Sequence, residues 1–261
     1  MIFLNEYYYC TIVLGIKNKG ESKMRSKLNI KIYADGADLK SMLEEYNKGI
    51  VSGFTTNPSL MKAAGIKSYK DFGKKVLDKI KDMPISFEVF SDDEESILKE
   101  ARELYTWGEN VYIKIPVVNT KGESNGNIIK ELSEENIKLN ITAVFTVDQV
   151  KDVLNVLNKD TPAIISIFAG RIADAGVNPV GIMKEAIELA KDYPKVEILW
   201  ASCRELYNII EASNIGCHII TVQNSILKKF NLFGKNLTDY SIETVKDFFK
   251  DGKSLGFSIV E

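Results

Sequence analysis

The sequence predicts a single (β/α)8 barrel with an extra C-terminal helix, and three observations predict it. Eight short β-branched or apolar runs recur from about Asn29 onward, longer amphipathic stretches separate them, and 261 residues suit one large domain of a fold that commonly takes about 250. The runs read as strands are Ile30–Asp35, Gly53–Asn57, Ile85–Phe90, Val111–Pro116, Leu139–Phe145, Ala163–Ala169, Glu197–Cys203 and Cys217–Val222. Each is short, rich in Ile, Val, Phe or Thr, and bounded by polar or turn-forming residues. The segments between them read as helices: SDDEESILKEARELYTWG offers Ser91 or Asp92 as a cap and Ile97, Ala101 and Leu104 as a buried stripe. After the eighth strand, LTDYSIETVKDFFKDGKSLGFSI predicts the additional helix, starting near Thr238 or Asp239. No Pro-, Gly- or Ser-rich linker interrupts the pattern, so residues 27–261 are expected to form one barrel domain together with that helix.

Composition narrows the function classes. A net charge of -2, with 45% hydrophobic and 27% charged residues, offers no cationic excess for a polyanion, so nucleic acid is not expected as a partner. No apolar run is long enough to cross a bilayer. Cys10, Cys203 and Cys217 are odd in number and widely spaced, which suits a reducing cytoplasm better than a disulfide framework or a zinc site. His218 is the only histidine and opens a strand, where a structural role is expected; no metal or other cofactor is expected. Residues 1–26 start apolar but carry Asn5 and Glu6 early and lack a signal-peptide pattern. They are read as an N-terminal extension, poorly ordered or not native, and starting the chain at Met24 is expected to leave activity and melting temperature nearly unchanged.

Catalytic residues in a parallel barrel gather where the strands finish. Asp35, Asn57, Glu88, Lys114, Ser166 and Ser202 lie at or near such ends, with Asn140 and Thr142 two apart on one face of the fifth strand. Taken singly, each is ordinary capping or a satisfied core polar group. Together they resemble the floor of a site. Lys114 is the sharpest, because VYIKIP sets an amine among β-branched and aromatic residues; the alternative is a side chain that snorkels to the surface. A desolvated lysine is a nucleophile toward carbonyls, and Schiff-base chemistry needs carboxyl groups nearby to move protons, roles open to Asp35 and Glu88. Arg171 after the sixth strand, with Ser202 and Arg204 where the seventh is expected to enter its helix, suits a phosphate dianion; a surface salt bridge is the competing reading for each arginine.

Several of these segments resemble those of the transaldolase family: GFTTNPSL at Gly53–Leu60, YIKIP at Tyr112–Pro116, NITAVF, ISIFAGRIADAG and WASCR, in family order from about Lys31 to about Phe257. The resemblance implies a metal-free enzyme of the pentose phosphate pathway that moves a dihydroxyacetone unit between sugar phosphates. Sedoheptulose 7-phosphate and glyceraldehyde 3-phosphate would give erythrose 4-phosphate and fructose 6-phosphate. It implies Lys114 as the Schiff-base nucleophile, Glu88 and Thr142 as proton carriers through a water, and Asp35 as the base at the C4 hydroxyl. Thr55, Asn57, Asn140, Ser166 and Phe168 would contact the substrate, with Arg171, Ser202 and Arg204 at its phosphate. The length and final helix are similar to the small subfamily that includes fructose 6-phosphate aldolases and forms ring-like oligomers by exchanging that helix, so a homo-oligomer is expected. The pocket is not: Glu88, Asn140 and Phe168 resemble transaldolase choices, where the aldolases have Gln on the third strand and Tyr on the sixth. An unusual ketose donor, or a barrel that binds sugar phosphate without turning it over, are the remaining alternatives.

Overall fold

In the computed structural model, which describes residues 28–260, the strands pair in chain order into a closed parallel barrel. They are β1 Lys31–Asp35, β2 Gly53–Thr55, β3 Ile85–Glu88, β4 Val111–Pro116, β5 Leu139–Val144, β6 Ala163–Ile167, β7 Val196–Trp200 and β8 Ile219–Gln223. The last strand closes on the first, with Lys31 opposite Ile219 and Asp35 opposite Gln223. The predicted (β/α)8 barrel is thus the observed fold. Most strands are shorter than expected at their C-terminal ends, because the chain turns there to set polar side chains on loops and helix caps. His218 falls just before β8, and its Nδ1 accepts a hydrogen bond from the Ile198 amide at 3.0 Å. Burial holds that ring below its ordinary pKa, in keeping with a structural acceptor.

Ten helices accompany these strands in residues 28–229: α1 Leu39–Lys48, α2 Pro58–Ala63, α3 Tyr69–Lys79, α4 Glu94–Tyr105, α5 Gly126–Glu134, α6 Val147–Val156, α7 Ala169–Asp174, α8 Pro179–Ala190, α9 Tyr207–Asn214 and α10 Asn224–Leu227. On α4, Ile97, Ala101 and Leu104 are buried as their spacing predicts. Its cap is Asp93, whose carboxylate accepts from the Ser96 amide, rather than Ser91 or Asp92. Those two are otherwise engaged. Ser91 Oγ donates to Glu100 at 2.6 Å, and Asp92 accepts from the Thr120 amide at 2.8 Å.

Strand alternation sorts the two faces of the sheet. Phe87, Val89, Ile113 and Ile115, the neighbours of Glu88 and Lys114, are buried. On the other parity Tyr33, Ile164, Leu199, Ala201 and Ile219 cluster together. Gly53 leaves the space that the Tyr33 ring fills; a Cβ there would lie 2.5 Å from the ring.

Residues 230–260 belong to a second unit. Its helix α11, Leu237–Ser254, begins slightly before the expected start because the Asn236 side chain accepts from the amides of Thr238 and Asp239. None of its residues is buried, and Leu237, Ile242, Val245, Phe248 and Phe249 are exposed. Among the described residues no helix is long and apolar enough to cross a membrane. The expectation about residues 1–26 lies outside the described residues.

Candidate active site

Parallel register sets Glu88, Lys114 and Asn140 side by side on β3, β4 and β5. The Lys114 side chain does not snorkel. The residue is 6% exposed, its Nζ lies 3.0 Å from Glu88 Oε2, and it also donates to the Thr56 carbonyl at 3.2 Å. Tyr69, from the first turn of α3, fixes the end of β3 by donating its hydroxyl to the Glu88 carbonyl at 3.0 Å. Behind that contact Tyr69, Phe87 and Trp107 meet edge to face.

Asp35 ends β1 with its carboxylate held by the Thr55 hydroxyl at 2.8 Å, and Thr55 Oγ1 lies 2.5 Å from Thr221 Oγ1 on β8. Burial pushes the Asp35 carboxyl above the usual range, against the opposing pull of Lys114 and the Thr55 hydrogen bond. Thr55, expected at the substrate, therefore has its hydroxyl committed to Asp35. Asn140 and Ser166 are likewise engaged with protein. Asn140 donates to Ser86 Oγ at 2.9 Å and accepts from Ser166 Oγ at 2.7 Å, a buried polar chain across β3, β5 and β6. Asn57 caps α2 through its side-chain oxygen, 2.9 Å from the Leu60 amide, which leaves its NH2 group uncommitted by that bond.

Thr142 differs from these. Its Oγ1 is buried with no hydrogen-bond partner among the described residues. The register between β5 and β6 shifts between Ile141 and Val144, and Ala143 has φ 56°, a left-handed conformation uncommon for a residue with a Cβ. A buried hydroxyl beside a strained backbone at the C-terminal mouth of the barrel suits a role with a bound water or ligand.

Of the expected anion residues, Arg171 lies in α7, and Ser202 and Arg204 lie on the loop after β7. Gly170, in the first turn of α7, approaches the chain after β7 so closely that a Cβ would stand 1.6 Å from the Ser202 carbonyl oxygen, so only glycine fits. That contact keeps Arg171 near Ser202, whose own φ is 62°. Arg171 lies over the Phe168 ring at 5.4 Å and has no ion pair among the described residues. Arg204 does have one: its Nε donates to Asp174 Oδ1 at 3.2 Å and its Nη2 to Oδ2. The expected helix N-terminus at Ser202–Arg204 is corrected, because α9 starts only at Tyr207. The amides of Arg204 and Glu205 are instead capped by Asn208 Oδ1, at 3.0 and 3.2 Å. Cys203 is no rival nucleophile, since burial pushes its thiol up to about 12.

A buried amine against a carboxylate, a second carboxyl held above its usual range and two arginines, one on α7 and one on the loop after β7, form a group suited to carbonyl chemistry on an anionic substrate. Residues 32–259 match the family described as Transaldolase/Fructose-6-phosphate aldolase. The chain belongs to this family. A protein of Caldicellulosiruptor saccharolyticus named "Probable transaldolase" is 36% identical over 224 residues, covering 85% of this chain and 96% of that protein. One from Methanococcus maripaludis with the same name is 35% identical over 215 residues, covering 82% and 94%. The crystal structure of 2,3-dimethylmalate lyase superposes with a TM-score of 0.53 at 9% identity, covering 93% of this chain and 90% of that one, a likeness of fold alone. Family membership makes the protein an enzyme of the transaldolase and aldolase class. Thr221, Ser86 and Tyr69, which orient its candidate catalytic groups, were not anticipated from sequence.

Proposed function

We propose that this enzyme is a transaldolase, transferring a dihydroxyacetone unit from a ketose phosphate to an aldose phosphate through a Schiff base on Lys114. The observation that carries this reading is the buried Lys114 amine, 3.0 Å from Glu88, in the mouth of a barrel where a second carboxyl, Asp35, is half-buried and held above its usual range. Lys114 attacks C2 of the donor, and the carbinolamine loses water to an iminium while Glu88, with Thr142 and a water, carries the protons. Asp35 then takes the C4 hydroxyl proton, the C3–C4 bond breaks, its electron pair moves into the iminium to give an enamine, and an aldehyde phosphate leaves. A second aldose phosphate accepts the three-carbon unit by the reverse steps. Phe168 has no hydroxyl to help water quench the enamine, which favours transfer over simple cleavage. Sedoheptulose 7-phosphate and fructose 6-phosphate are the donors we infer, in the cytoplasm. Turnover of fructose 6-phosphate with and without erythrose 4-phosphate tests the reading, and fast turnover without the acceptor would reassign the enzyme as an aldolase.

Arg171, Ser202 and Arg204 are the phosphate ligands in this reading. Arg204→Ala is expected to raise KM for phosphorylated substrates roughly 10- to 150-fold, the loss of one charged hydrogen bond of about 1.5–3 kcal/mol, and to spare dihydroxyacetone. An equal effect on both would remove Arg204 from the site. We also infer a homo-oligomer, supported by the exposed Val245, Phe248 and Phe249 of α11, an apolar surface that a second copy would cover. Light scattering is expected to give a multiple of the protomer mass that falls when Phe248 and Phe249 are changed to Asp; a wild-type monomer would refute it.

A further inference from the structure

We propose that Asp174 is a resident competitor for the phosphate-binding guanidinium of Arg204 and so sets how long a phosphorylated substrate or product stays bound; this rests on the phosphate site of the preceding reading. Asp174 ends α7, one turn after Arg171, and its carboxylate meets Arg204 in two-point fashion through Nε and Nη2. A carboxylate and a phosphate present the same pair of oxygens to the same planar fork, so they compete for that edge. A dianion that used the other edge would still lie beside the carboxylate charge. Both routes make Asp174 oppose anion binding.

The position gives the helix nothing in return. A negative side chain in the last turn faces the carbonyl end of the peptide dipoles, the unfavourable end for an anion. Nor is the pair a buried clamp, since Arg204 and Asp174 are 45% and 52% exposed. A pair this exposed opens readily to an incoming dianion and re-forms when the dianion leaves. The reaction needs that exchange. The aldehyde phosphate must vacate the subsite while the enamine waits on Lys114, and a second aldose phosphate must then enter the same subsite. Arg171, without a carboxylate partner among the described residues, supplies standing attraction, and the tethered carboxylate limits residence.

The test uses the full chain, with inorganic phosphate as a competitive inhibitor of fructose 6-phosphate turnover. Asp174→Asn keeps the shape and removes the charge. Phosphate is expected to bind about 3- to 10-fold more tightly to it, the scale of an exposed ion pair plus the repulsion relieved, and KM for fructose 6-phosphate to fall with it. Added to Arg204→Ala, the same change is expected to give only the smaller gain of relieved repulsion, because competition for the guanidinium is gone. Unchanged or weaker phosphate binding in Asp174→Asn overturns the proposal. The outcomes separate from those of the broader reading: if Arg204→Ala itself leaves phosphate affinity unchanged, the phosphate site is misplaced. If Arg204→Ala weakens binding and Asp174→Asn does not strengthen it, only the role of Asp174 fails.

Discussion

Borohydride added together with fructose 6-phosphate is expected to inactivate the enzyme irreversibly and to leave a reduced three-carbon adduct on the peptide that contains Lys114. Hydride converts an iminium to a stable secondary amine, and the trapped species retains only the carbons that remain after C3–C4 cleavage. Metal chelators are expected to change nothing. Lys114→Met should abolish both trapping and turnover while circular dichroism still reports a folded barrel, because Met is a flexible, unbranched side chain of similar length that fills the same space without the amine. An adduct on another lysine, with the Lys114 peptide unmodified, would refute the nucleophile. Activity that chelators remove, with no adduct formed, would refute the mechanism.

Asp35→Asn separates activity from stability. Turnover is expected to fall by about 10²–10⁴-fold, the usual contribution of a positioned acid–base group, while the melting temperature at neutral pH rises. Burial holds the Asp35 carboxyl above its unfolded value, so the barrel favours the protonated form. The stability conferred by that preference is fully present in acid, below the ordinary aspartate pKa, and is lost as pH rises through the elevated folded value. An amide is neutral throughout and still accepts the Thr55 hydrogen bond. The variant's advantage should therefore appear above the folded pKa and vanish in acid; thermal melts from pH 3 to pH 8 check this, and an equal difference at every pH would exclude the linkage.

Much of this arrangement was legible because single positions carry the information. Period-two alternation locates β4 to the residue, and an amine inside VYIKIP marks Lys114 from the sequence alone. Partners across the barrel were not legible. Thr55 and Thr221 are 166 residues apart, and Ser86 and Asn140 are 54 apart, so nothing local in the sequence announces either pair. The loop after β7 was misread for a different reason. Polar residues after a strand suggest a helix start, but the left-handed backbone at Ser202 and the side chain of Asn208 postpone it to Tyr207. The arginine pair combined both expectations, since Arg204 forms the surface salt bridge weighed against its phosphate role, on the loop where that role places it.

The Thr55–Thr221 contact bears on synthesis of the chain. Lys114 and Glu88 emerge from the ribosome early, whereas Thr221, which steadies the hydroxyl that holds Asp35, belongs to the last strand. Until β8 docks between β7 and β1, Asp35 lacks part of its support. A nascent half-barrel can therefore carry Lys114 and Glu88 while the Thr55 hydroxyl that holds Asp35 still lacks its partner on β8. Barrel closure, which pairs residues far apart in sequence and is correspondingly slow, is thus the step that completes the proposed site.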